Sequence, residues 1–174
     1  MHYLRRIFSV AGVVAALAGP QAALAQAVTQ QTLLDRVQIE DLLVNYYSVF
    51  GAAADDVTQY FAEDGVLDIN GRIFQGRSNV QKAYARAPDA PLSRGKFHML
   101  MTNPRIVVSG DTATADLLWT GIMSDTVKAP PRFIEQGREH DEFVKQGGRW
   151  LLHKRVITSD GGLPDSYDKT YKDR

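Results

Sequence analysis

Apolar side chains at Ile39, Leu42, Leu43, Tyr46 and Phe50 recur at helical spacing, and Thr32-x-x-Asp35 ahead of them offers a capping signal. The spacing predicts a long amphipathic helix that ends near Gly51. A second short helix is expected from Asp55 or Asp56, with Val57, Tyr60 and Phe61 turned inward. A third is expected from Ser78, where Ser78-x-x-Gln81 reads as a capping box ahead of Val80 and Tyr84. Between these two, Gly65 to Ile69 and Arg72 to Phe74 flank Asn70-Gly71, a dipeptide that favours a tight hairpin.

Past the loop from Pro88 to Gly95 the pattern turns from helical to extended. Phe97 to Val108, Thr112 to Met123, Arg132 to Lys145 and Trp150 to Thr158 are long, rich in β-formers and parted by Gly or Pro joints. Helices first and meandering antiparallel strands second argue an α+β domain. From Ser159 onward, Gly161, Gly162, Pro164 and a run of charges predict an irregular tail over 161–174.

The first 25 residues read differently. Arg5 and Arg6, an apolar run from Ile7 to Ala18, and Ala23-Leu24-Ala25 before Gln26 have the order of a secretory signal, so the expected domain spans 26–160 and the expected location is the periplasm. That apolar run is too short for a permanent anchor, and no later segment approaches ~20 uninterrupted apolar residues. Removing it takes away two arginines and leaves 18 basic against 20 acidic residues, a balance that does not suggest a nucleic-acid partner. With no cysteine the chain has neither disulfides, thiolate metal sites nor a cysteine nucleophile, and its core alone must hold it.

Candidate chemistry lies on the strands. Alternation puts His98 with Leu100 and Thr102 on one face of its strand and Met99, Met101 and Asn103 on the other. Facing inward, the imidazole would be kept neutral by burial and suit a general base; otherwise it is a structural histidine bonded to a backbone carbonyl. Around Gly137, alternation groups Glu139, Asp141 and Phe143 against Arg138, His140 and Glu142, and one set faces the core. Tyr46 and Tyr47 point about 100° apart on their helix, so one is expected toward the sheet and one toward a neighbouring helix. A tyrosine hydroxyl there either polarises a substrate carbonyl or belongs to the core. Tyr84, Trp119 and Trp150 read as core or cavity wall, and His153, beside Lys154 and Arg155, as surface or structural. The chain has no G-x-S-x-G elbow, phosphate-binding glycine loop or H-E-x-x-H pair, and no cofactor or metal is predicted.

The order of a long helix, Phe97-His98-Met99-Leu100-Met101-Thr102-Asn103, the Gly110-Asp111 turn, and Gly137-Arg138-Glu139-His140-Asp141-Glu142-Phe143 leading into Trp150 resembles the SnoaL-like branch of the nuclear transport factor 2 (NTF2) superfamily. The resemblance covers roughly Leu33 to Thr158. It implies a cone of N-terminal helices on a strongly curved, mostly antiparallel sheet around a hydrophobic cavity. It implies His98 as a catalytic base, Glu139 as an inward polar group, and Phe50, Trp119, Met123 and Asp141 as cavity lining. In the dehydratase branch a second histidine would fall at Met123 and an aspartate at Phe50 or Gly51, with Asp55 and Asp56 a few residues later, so the familiar Asp–His pair is missing.

The expected function is an exported, cofactor-free lyase that removes water or formaldehyde from a hydrophobic cyclic or aromatic small molecule. His98 would take the proton, and Tyr46, Tyr47 or Glu139 would stabilise the oxyanion. The alternative is a periplasmic binding protein that holds such a molecule unchanged. A homo-oligomer is the expected assembly, and a third reading is a structural interaction module that dimerises through the outer sheet face.

Overall fold

The computed structural model describes residues 28–49, 57–84 and 96–161. Helix α1 spans Gln30–Ser48, three residues earlier than the Thr32 signal implied at its start. Thr29 is the N-cap: its hydroxyl accepts the Thr32 amide at 3.1 Å while the Thr32 hydroxyl accepts the Thr29 amide at 2.8 Å. This reciprocal box satisfies two of the amides a helix start leaves unpaired. Asp35 therefore sits a turn and a half inside the helix instead of capping it.

A 3-10 turn, Val57–Tyr60, leads into β1 (Phe61–Ile69) and β2 (Arg72–Gln75). Phe61, expected on a helix, opens the strand instead and is fully buried. Asn70 and Gly71 between them have φ of 53° and 84°, the left-handed pair that a tight hairpin turn requires. Helix α2 covers Arg77–Tyr84, one residue ahead of Ser78, with the Gly76 carbonyl accepting from Val80. Gly76 holds φ 79°, so the start is set by its backbone and not by a Ser78 cap.

Four long strands follow: β3 (Lys96–Ser109), β4 (Thr112–Ser124), β5 (Arg132–Gln146) and β6 (Arg149–Ser159). Together they make a six-stranded sheet in the order β2-β1-β6-β5-β4-β3, in which β1 pairs parallel with β6 and the rest are antiparallel. The sheet's inner face packs on the helices. Ile39, Leu43 and Tyr46 of α1 join Phe61, Leu67, Val80, Trp119, Phe143 and Leu152 in one core cluster. Burying each such aliphatic side chain stabilises by roughly 1.5–3 kcal/mol. Among the described residues no helix is long and apolar enough to cross a membrane.

Inside and outside are assigned by burial. On β4 every odd residue from Ala113 to Met123 is buried, and on β5 Gly137, Glu139, Asp141 and Phe143 are buried. On β3 Met99 and Met101 pack on the core while His98, Leu100 and Thr102 are exposed. A bulge between Thr102 and Arg105, with Asn103 at φ 53°, then reverses the alternation, so that Ile106 and Val108 face in.

Candidate functional site

The register of β5 and β6 makes Asp141 the direct partner of Arg155, with Glu139 opposite Ile157 two residues along the same face. Arg155 donates from Nε to Asp141 Oδ1 and from Nη2 to Oδ2, each at 2.8 Å, and Nη2 also lies 2.8 Å from Glu139 Oε1. From α1, the Tyr47 hydroxyl donates to Glu139 Oε2 at 2.7 Å. The Tyr46 ring lies under the Arg155 guanidinium, 3.8 Å from its centroid, and its hydroxyl hydrogen-bonds to that of Tyr84 on α2. Five polar side chains from α1, α2 and β5 thus surround one buried guanidinium of β6. Arg155 and Asp141 expose no surface and Glu139 only 3%.

Two carboxylates share one cation here. Burial pushes the Glu139 carboxyl well above its usual value; Arg155 pulls the other way, and Asp141 adds to the rise. A protonated Glu139 leaves the Arg155–Asp141 pair electrically balanced. Burial also pushes the Tyr46 phenol up to about 12 and raises those of Tyr47 and Tyr84. All three hydroxyls are therefore neutral donors at neutral pH.

The inner face continues from this cluster along the neighbouring rungs of the sheet. Met101, Trp119 and Gly137 are register partners in one row, and Met99, Gly121 and Glu135 in the next, with Phe97 opposite Met123 beyond. A Cβ on Gly137 would fall 2.0 Å from the Thr158 carbonyl oxygen and 2.8 Å from the Trp119 ring, so this glycine is what lets Trp119 lie across β5. Phe97, Met99, Met101 and Glu135 are half-buried. Burial raises the Glu135 carboxyl as well. The result is a thioether and aromatic wall that adjoins a polar floor.

The sequence-predicted residues separate accordingly. Tyr46, Tyr47, Glu139 and Asp141 come together, with Asp141 tied to Arg155, and Trp119 and Met123 are buried on the same inner face. His98 does not join them: its strand turns its more apolar set, the methionines, inward, and the imidazole stands on the outer face. The inward-base expectation is corrected on that point. Phe50, Gly51, Asp55 and Asp56 lie outside the described residues, as does the expected signal over 1–25. His153 is exposed, and His140 meets Asp116 on the outer face, Nδ1 to Oδ1 at 2.7 Å. Among the described residues no group of three His, Asp or Glu side chains converges to hold a metal ion.

Two central residues escaped the sequence reading. Arg155 was named only as a neighbour of His153, yet its parity matches Ile157 and Ser159. Asp35, read as a cap, is 3% exposed and accepts from Lys145 at 2.7 Å, Trp150 Nε1 at 3.1 Å and Gln31 at 3.0 Å, which fastens α1 to the β5–β6 hairpin.

Comparison with known families matches residues 31–156 to the SnoaL-like domain. No curated protein matches the chain. Among solved structures, an NTF2-like protein with a cystatin-like fold from Novosphingobium aromaticivorans superposes with a TM-score of 0.66 at 19% identity, over 82% of this chain and 92% of that one. ActVI-ORFA from Streptomyces coelicolor gives 0.64 at 19% identity, over 76% and 99%. A protein of unknown function from Mycobacterium tuberculosis gives 0.63 at 22% identity, over 75% and 74%. Likeness at these identities shows the fold, an NTF2-like α+β architecture. With the family match spanning most of its length, the chain belongs to the SnoaL-like domain family.

Proposed function

We propose that this protein is an exported, cofactor-free lyase that handles a proton at Glu139 and acts on a hydrophobic cyclic or aromatic small molecule. The observation that carries the reading is the buried Glu139 carboxyl, hydrogen-bonded by Tyr47 at 2.7 Å and flanked by Arg155 at 2.8 Å. A carboxyl whose pKa is raised by burial is, once ionised, a stronger base than one in water. In a dehydration the ionised fraction of Glu139 takes the proton next to a substrate carbonyl, the freed electron pair forms the C=C bond, and the departing hydroxide recovers that proton as water. Glu139 thus takes the role first assigned to His98, and the Tyr47 and Tyr46 hydroxyls keep theirs of stabilising the oxyanion. The Met99, Met101, Met123 and Trp119 wall suits an apolar ring. Export to the periplasm rests on Arg5, Arg6 and the Ala23-Leu24-Ala25 site, and assembly as a homo-oligomer is part of the same reading.

A binding protein is the second reading, favoured by the fact that Arg155 and Asp141 are fully buried and bonded to each other. Incubating the purified protein with a panel of cyclic and aromatic hydroxy-carbonyl and hydroxymethyl compounds, followed by mass spectrometry, separates the two. Loss of water or formaldehyde that disappears in Glu139→Gln supports the lyase. Intact compounds that co-purify without turnover support the binder.

A further inference from the structure

The outer face of the sheet carries polar groups that the inner-face chemistry does not use. Cross-strand register aligns Arg105, Asp116, His140 and Val156 in one row over β3, β4, β5 and β6. The next row holds Leu118, Arg138 and Thr158. These residues, with Asn103, Leu117 and Glu139, line a groove of about 310 Å³. That volume lies at the small end of ligand-binding clefts.

Its polar groups are unequally committed. Asp116 holds His140 Nδ1 at 2.7 Å, which fixes the ring and leaves Nε2 as its remaining polar atom. Arg138 pairs with Asp160 at 3.0 Å. Arg105, the register partner of Asp116, has no ion pair or hydrogen bond among the described residues. The bulge at Asn103, itself a groove residue with φ 53°, is what brings Arg105 to this face: without the reversal it would share the parity of the inward Met99 and Met101. Asparagine is among the few non-glycine residues that adopt this left-handed backbone readily. Leu118, 43% exposed, and Val156 supply an apolar floor beside these charges.

We propose that this groove is a second ligand site, on the outer face, that takes a small aromatic carboxylate, its ring on Leu118 and Val156 and its carboxylate on Arg105. A single uncommitted guanidinium with Asp116 beside it suits a monoanion better than a phosphate dianion, and guanidinium matches a carboxylate in geometry. Arg105 is exposed on the outer face, whereas the Glu139 carboxyl is buried in the inner-face cluster.

Isothermal titration of the purified protein with 1-naphthoate, and with 1-naphthalenemethanol as the uncharged counterpart, tests it. Saturable binding of the carboxylate is expected, weakened about tenfold or more in the alcohol and in Arg105→Gln, as the loss of a charged hydrogen bond implies. Equal affinity for acid and alcohol, or binding indifferent to Arg105→Gln, would each overturn the proposal. So would the absence of saturation at millimolar ligand, including the case where self-association covers this face.

Discussion

Arg155 and Asp141 are register partners on adjacent strands and bond through two parallel N–H···O contacts of 2.8 Å with neither side chain exposed. A buried pair of this kind is costly to break one-sidedly. Asp141→Asn should destabilise by roughly 3–5 kcal/mol, because the guanidinium keeps its charge and loses its main counter-ion. Replacing both partners by apolar residues of similar size, as in Asp141→Leu with Arg155→Met, should cost clearly less than the single change. Urea denaturation of the three proteins checks the order; a double variant less stable than Asp141→Asn would refute it.

Glu139 makes stability depend on pH with a defined sign. Its folded carboxyl is held well above the ordinary value of 4.5, so the native state keeps a proton that the unfolded chain gives up. Stability from this group is complete below about pH 4.5 and falls as pH rises toward the folded value. Glu139→Gln retains an acceptor for Tyr47 and cannot ionise. Its stability relative to the unaltered protein should therefore grow between pH 4.5 and neutrality, as followed by denaturation midpoints across that range. A constant difference would show that Glu139 is ionised in the folded protein.

The buried phenols extend the same logic to alkaline pH. Tyr46 should stay protonated to about 12, and Tyr47 and Tyr84 should also titrate late. Ultraviolet titration of the seven tyrosines should show a first phase near the ordinary value of 10 and a delayed phase that coincides with unfolding. Tyr46→Phe should reduce the delayed phase.

Gly137 is predicted to be intolerant of a side chain. An added Cβ would meet the Thr158 carbonyl oxygen at 2.0 Å and the Trp119 ring at 2.8 Å. Since one contact is backbone, the strand itself must move, and Gly137→Ala should cost at least the ~1–3 kcal/mol typical of overpacking. A melting temperature unchanged from the parent would contradict the close approach of β5, β6 and Trp119.

Much of this fold was legible because local chemistry and tertiary structure agree. Asn70-Gly71 and Gly147-Gly148 adopt the positive φ values their turns need, and β3 to β6 fall where β-formers run between such turns. The buried set on β5 follows from strict alternation around Gly137. The face of β3 was harder, since His98, Leu100 and Thr102 alternate as cleanly as the methionines; the greater apolarity of Met99 and Met101 was the available signal. Arg155 was hidden by β6, where Trp150, Leu151 and Leu152 are buried in succession near a register shift, which erases the parity that would have turned it inward. Asp35 was hidden because an acidic residue near a helix start reads as a cap, and its partners Lys145 and Trp150 are remote in sequence.

The most direct test of the central claim compares Glu139→Gln with His98→Ala on a compound that the protein converts. If Glu139 carries the proton, Glu139→Gln should slow loss of water or formaldehyde by about 10² to 10⁴, the usual worth of a placed acid–base group, while His98→Ala leaves the rate unchanged. Full activity in Glu139→Gln, or a comparable loss in His98→Ala, would contradict the assignment of the chemistry to the inner-face cluster.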